Sequence, residues 1–177
     1  MVFAHDTVDA LGASVWLANS ELEPDTLTTL EELENFFDGF GYTGDRPTAA
    51  DLPQVRAIRT PMREFFTASR DGAVPLVNEA LAAQHALPLL VRHGDSDWHI
   101  HGTTDDRPLA ERILVETAMA MIDVIRADEM KRFDRCLMED CDGIVLDLSR
   151  NRSRKYCSVT CTNRAAQAAH RARQSDS

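Results

Sequence analysis

Residues 135–164 read RCLMEDCDGIVLDLSRNRSRKYCSVTCTNR, and this stretch holds all four cysteines of the 177-residue chain. Cys136 and Cys141 are spaced C-x4-C, Cys157 and Cys161 are spaced C-x3-C, and 15 residues separate the pairs. Two close pairs on a hairpin-sized spacer suit a tetrahedral ion, because each pair supplies one edge of the tetrahedron. Four soft thiolates favour Zn2+, with iron as the minor alternative. A closed shell of four thiolates leaves no position for water or substrate, so the one expected ion is structural. Its binding is worth about 10–16 kcal/mol in zinc-finger peptides, enough to organise a module too small to fold on its own core.

The residues between the pairs carry the rest of a finger. Gly143 can supply the turn after the first pair. Ile144, Leu146 and Leu148 alternate with Val145 and Asp147 as in a strand. Residues 149–153 then make a turn and 154–157 a return strand. Ser158 is a reasonable N-cap for a helix reaching about Arg173, with Cys161 in its first turn, where the positive end of the helix dipole favours thiolate. Knuckle, hairpin and ligand-bearing helix make a treble-clef-like or ribbon-like zinc finger.

Charge divides the chain at the same place. The formal net charge of −10 argues against a nucleic-acid partner for the chain as a whole. Residues 131–177, however, carry 10 Lys and Arg against 6 Asp and Glu, a net +4, which leaves −14 on residues 1–130. Arg150, Arg152, Arg154 and Lys155 crowd the finger's turn. On its helix Arg164 and Arg171 share a face, and Asn163, Gln167 and His170 form an adjoining polar strip among alanines. Arg forks onto guanine, and Asn or Gln pairs with adenine. Arg150, Arg152, Arg154, Lys155, Asn163, Arg164, Gln167 and Arg171 are therefore the candidate DNA contacts. The competing reading is that the arginines only balance the thiolates and solubilise the finger. Zn2+ with four thiolates carries −2, which lowers the finger to about +2. DNA binding must then rest on local geometry rather than bulk charge.

Residues 1–130 read as helical. Val8, Leu11, Val15 and Ala18 recur at helical spacing. Thr29 stands three residues before Glu32, a capping-box signal for a second helix with the stripe Leu30, Leu33, Phe37 and Phe40. Thr48 is a plausible N-cap for a third helix running to about Ser69, kinked or broken near Thr60 by Pro61. Pro75 suits the first turn of a fourth helix from Leu76 to about Ala86. Residues 87–93 and 98–103 flank Gly94-Asp95-Ser96-Asp97 and read as a β-hairpin. Asp105 or Asp106 can cap a long helix beginning at Pro108, apolar on more than one face and so central. No linker precedes Lys131, and that helix is expected to lead straight into the cysteine region. The prediction is an α+β, mainly α-helical chain, with an acidic multihelical domain over 1–130 and a small finger over 131–177.

The acidic domain offers one candidate ligand site, at His93, His99 and His101. His99 and His101 lie two apart on a strand and share a face. A metal or proton-transfer site can be built from them, and so can an ordinary solvated hairpin. Phosphate-loop, nucleophile-elbow and metalloprotease motifs are missing. No apolar run approaches the roughly 20 residues of a membrane span. The start, Met1-Val2-Phe3-Ala4-His5-Asp6, has no signal-peptide pattern, so a soluble cytoplasmic protein is expected. A reducing compartment favours metal ligation by the cysteines over disulfides.

Arg135-Cys136-x4-Cys141, Leu146-Asp147-x-Ser149-Arg150-Asn151-x-Ser153-Arg154-x-Tyr156-Cys157-Ser158 and Cys161-x-Asn163-Arg164-Ala165 resemble the bacterial CGNR zinc-finger proteins. The helical half, with its single hairpin, resembles the ABATE domain that precedes the finger in that family. The resemblance implies a stress-induced, DNA-binding transcription regulator and no enzyme. It makes Cys136, Cys141, Cys157 and Cys161 the zinc ligands and places Cys161, Asn163 and Arg164 in the signature tetrad. Thr162 stands where the family has Gly, and its hydroxyl can bond to backbone at a helix start. The N-terminal domain would then meet a small-molecule signal or a protein partner. The alternative, from another class, is a protein–protein or RNA-contacting module on a purely structural finger.

Overall fold

The computed structural model describes residues 3–92 and 98–175. Helix α1 (His5–Asn19) buries Leu11, Val15, Leu17 and Ala18. Helix α2 (Leu30–Gly39) starts at the expected capping box: Thr29 Oγ1 accepts from the Glu32 N–H at 3.2 Å, and the Glu32 carboxylate accepts from the Thr29 N–H at 3.0 Å. Leu33, Phe36 and Phe37 turn inward from it, and Trp16 of α1 stacks on Phe36 with ring centroids 5.2 Å apart.

The proline-bearing region differs in detail from its sequence reading. It forms two helices, α3 (Asp51–Ala57) and α4 (Arg59–Thr67), divided at Ile58, two residues before Thr60. Pro61 has no N–H to give to the Ala57 carbonyl, so the break falls one turn before the proline. Thr48 is not the cap: its N–H and hydroxyl both donate to the Asp51 carboxylate, at 2.8 and 2.7 Å, and Ala50 is the capping residue. Helix α5 (Arg70–Ala83) begins six residues earlier than expected, because Ser69 Oγ accepts from the Gly72 N–H and starts it there. Pro75 lies inside this helix, and the Asp71 carbonyl it leaves unbonded belongs to an exposed residue that water can serve.

Strands β1 (Leu89–Val91) and β2 (His99–His101) pair antiparallel, with Leu90 opposite Ile100. The expected loop Gly94–Asp97 and His93 lie outside the described residues. Helix α6 (Leu109–Arg126) is central, packed against α1 and α5, and buries Ile113, Ala118, Met121 and Val124. Neither Asp105 nor Asp106 caps it. Pro108 stands at the cap, while Asp105 accepts from the Thr43 hydroxyl at 2.9 Å. Ser14 and Thr117 hydroxyls meet at 2.6 Å where α1 crosses α6, so the buried polar atoms there satisfy each other.

Helix α6 stops at Arg126 instead of continuing, and Asp128 turns the chain with φ +56°. A 3-10 turn (Met130–Arg132) leads into β3 (Phe133–Arg135), which pairs antiparallel with β4 (Ile144–Leu146). The expected return strand at 154–157 does not form. Strand β4 pairs upstream, Phe133 opposite Leu146, and the first cysteine pair lies in the turn between the two strands. The strand's alternation explains the choice. Ile144 and Leu146 face the main core, with Phe133 stacked on Phe66 at 4.8 Å, and Val145 faces the cysteines on the opposite side. Helix α7 (Val159–Ser175) ends the described chain.

Candidate metal centre and nucleic-acid interface

Three of the four cysteines are placed by short hydrogen-bonded devices of the backbone. The Cys136 N–H donates to the Gly143 carbonyl at 2.8 Å, extending the β3–β4 ladder into the knuckle, and the Cys141 N–H donates to the Met138 carbonyl at 3.1 Å. Ser158 Oγ accepts from the Cys161 N–H at 3.1 Å, which caps α7 and sets the fourth thiol in its first turn. Thr162 Oγ1 donates to the Ser158 carbonyl at 3.0 Å. The hydroxyl thus bonds to backbone at the start of the helix, as expected.

The four Sγ atoms lie within 4.8 Å of one another, with Cys141–Cys157 at 3.6 Å, Cys141–Cys161 at 3.7 Å and Cys157–Cys161 at 3.8 Å. A tetrahedron with Zn–S bonds of about 2.3 Å has sulfur–sulfur edges of about 3.8 Å, whereas a disulfide closes to about 2.05 Å. The donors fit one structural zinc ion. Electrostatics agrees with that fit. Burial pushes the Cys157 thiol well up, and the crowding of Cys141, Cys161 and Cys136 adds to it, a crowding that a bound cation would offset. Burial also raises Cys136, but N–H groups of Met138 and Cys157 outweigh it and hold that thiol below its ordinary value.

Gly143 has a role that a turn signal did not specify. A Cβ there would stand 2.5 Å from Cys157 Sγ and 3.2 Å from Cys141 Sγ. The missing side chain makes the room in which the two pairs meet.

The basic residues divide into two groups. Three are spent inside the chain. Arg152 donates to both oxygens of Glu129 at 2.9 and 3.0 Å, from a backbone with φ +47°. Arg154 donates to the carbonyls of Tyr156 and Cys157 at 3.3 and 3.2 Å, bracing the second cysteine pair. Arg164 is ion-paired with Asp140, whose carboxyl it holds below the usual range. The other candidate contacts, Arg150, Lys155, Asn163, Gln167 and Arg171, are exposed, and their side chains have no polar partner among the described residues. Asn163, Gln167 and Arg171 recur every four residues and form one strip along α7. Beyond Ala165 every α7 residue through Gln174 is exposed.

Other residues that shape the finger were not among the candidates. Asp147 is buried; its carboxylate accepts from the Ser149 and Arg154 N–H groups at 2.8 and 2.6 Å and folds the 147–154 loop. Arg132, 3% exposed, donates to the Asp147 carbonyl at 2.9 Å and pairs with Glu129 at 2.9 Å. Asn19 of α1 and Arg63 of α4 bond the knuckle backbone, at Ile144 and Asp142. A contact across more than 75 residues leaves no trace in spacing or periodicity. On the other hairpin, His99 and His101 bring their Nε2 atoms to 3.1 Å; His93 lies outside the described residues.

No described helix is long and apolar enough to cross a membrane. The family model described as "Putative stress-induced transcription regulator", ABATE, matches residues 12–128, and that of the CGNR zinc finger matches residues 132–174. A comparison with curated proteins matched none. Both families are of regulator or zinc-finger type, and their order is that of the helical body and the cysteine centre. With well over half its length matched, the chain belongs to the ABATE family and carries a CGNR zinc finger at its C-terminal side.

Proposed function

We propose that this protein is a zinc-dependent, DNA-binding transcription regulator. Its finger meets DNA through α7 and the 150–155 loop, and its acidic body, residues 1–130, receives a signal or a protein partner. The observation that carries the reading is the strip Asn163, Gln167 and Arg171 on a helix solvated all round beyond Ala165. A helix exposed on every face over these residues has no buried apolar stripe there, and its polar side chains are open to a partner. Asn and Gln can read base edges in a major groove, and Arg171 beside them can meet a phosphate. The alanines of the remaining faces keep the helix slim and favour its formation.

The division of the arginines sets the expected strength. Arg152, Arg154 and Arg164 hold the finger together, which leaves Arg150, Lys155 and Arg171 as phosphate contacts. At about −0.9 per phosphate, the log–log salt slope is then about −3. In-vitro selection of DNA with the zinc-loaded protein at two salt concentrations tests the reading. An enriched motif with that slope supports it, and absent or salt-independent binding overturns it. The closed thiolate shell offers no reacting position, so we assign no catalytic step.

A further inference from the structure

We propose that Arg152 is a phosphate contact of the finger held in reserve, and that Glu129, at the end of the body's central helix, is the carboxylate that withholds it. The inference rests on the DNA-binding reading and adds its regulation. Arg152 stands on the 150–155 loop between Arg150 and Lys155, whose side chains are exposed and open to DNA. Of these three side chains it is the one turned back onto the chain, with Nη2 donating to both Glu129 oxygens at 2.9 and 3.0 Å. The guanidinium is nevertheless at the surface, its side chain 41% exposed.

The withholding residue belongs to the helical body. The Glu129 N–H donates to the Val124 carbonyl at 3.0 Å, and the Asp128 N–H donates to the Ile125 carbonyl at 3.2 Å from a backbone with φ +56°. This double closure is a Schellman end of α6. It fixes Glu129 to the helix that packs against α1 and α5, so a shift of α6 within the body moves the carboxylate with it. The negative end of the helix dipole also draws a guanidinium to this place.

The pair is built to separate. Glu129 does not depend on Arg152, because Arg132 Nε lies 2.9 Å and Lys131 Nζ 3.9 Å from its carboxylate. Release of Arg152 therefore orphans no buried charge. Arg152 itself gains by release, since φ +47° is a left-handed conformation that strains a residue with a Cβ. A phosphate offers a guanidinium the same forked geometry as a carboxylate, so the two compete for it. The carboxylate is tethered and the phosphate must come from solution, which favours the closed state until α6 shifts.

Salt titration of the full-length, zinc-loaded protein on a random-sequence DNA duplex tests this, with wild type, Glu129→Gln, Arg152→Ala and the double variant compared. Wild type and Arg152→Ala are expected to share a log–log slope of about −3, and Glu129→Gln to steepen it by about 0.9. The double variant should return to the wild-type slope. That return separates release of Arg152 from the mere loss of a negative charge, whose effect the double variant would keep. Where Glu129→Gln loses its native circular dichroism, Glu129→Met/Arg132→Met removes both buried charges together and serves in its place. A Glu129→Gln slope equal to wild type, a gain that survives Arg152→Ala, or a slope lowered by Arg152→Ala alone overturns the proposal and leaves the regulator reading standing. Absence of DNA binding in all four proteins overturns both.

Discussion

The side-chain amide of Asn19 pairs with the backbone of Ile144 in both directions. Asn19 Nδ2 donates to the Ile144 carbonyl at 2.8 Å, and the Ile144 N–H donates to Asn19 Oδ1 at 2.7 Å. The last residue of α1 thus acts as a strand partner for the first residue of β4. Asn19→Ala leaves both backbone groups of a 2% exposed residue unpaired. The expected loss is about 1–3 kcal/mol in urea unfolding, with faster amide exchange at Ile144. Unchanged exchange there would show that the finger's first hairpin is held by apolar packing alone.

Gly143→Ala tests the crowding inside the knuckle. The added methyl meets Cys157 Sγ, which the metal fixes in place. Overpacking of this kind costs about 1–3 kcal/mol. We expect faster zinc loss to a competing chelator, while the helical body keeps its circular dichroism.

Zinc removal should divide the finger rather than unfold it whole. Phe133, Ile144 and Leu146 are buried in the main core and do not depend on the ion. Helix α7 is held at its first turn by Cys161 and Ser158. Hydrogen exchange after chelation is expected to show fast amides over 154–175 and slow ones in β3 and β4. Equal exchange in both segments would contradict this division.

Arg59, 4% exposed, donates to Asp25 at 3.0 and 3.2 Å. These bonds hold the Asp25 carboxyl below its ordinary value, helped by the Leu27 N–H. The unfolded chain binds this proton more readily, so the pair's contribution is present at neutral pH. It is lost as pH falls past the unfolded value of about 3.9 and through the lower folded one. Asp25→Asn should cost about 1–3 kcal/mol at neutral pH. The gap to wild type in urea unfolding should narrow steadily towards about pH 3.

Arg171 and Arg164 should behave differently although they share a helix. Arg171→Ala is expected to lower the magnitude of the DNA salt slope by about 1 and leave the melting temperature alone. Arg164→Ala breaks the pair with Asp140 in the knuckle and should chiefly lower the finger's stability. Equal loss of DNA affinity in both, with no stability change in either, would put Arg164 on the DNA.

The local features that could be read were those written in neighbouring residues. The capping box at Thr29, the stripe of α1 and the serine cap at Ser158 each need only a few adjacent side chains, and each is present. Proline told that the third helix would break near Thr60, and the break falls two residues earlier because the lost bond is at the carbonyl four residues before Pro61. Pro75 misled, since an exposed carbonyl can turn to water and the helix could begin at a better cap, Ser69.

Sequence alone determined the ligand set, the charge division and the mainly helical class, since spacing, composition and periodicity are properties of the chain itself. Tertiary structure decided which strand pairs with β4, and therefore that the finger's hairpin shares the body's core. Ile144 and Leu146 could face either a return strand or a helical body. Burial in the main core, where Phe133 stacks on Phe66, and the bonds from Asn19 select the second. It also decided which arginines remain available for a partner. A guanidinium's fate depends on acceptors such as Glu129 and Asp140, brought near only when distant segments pack.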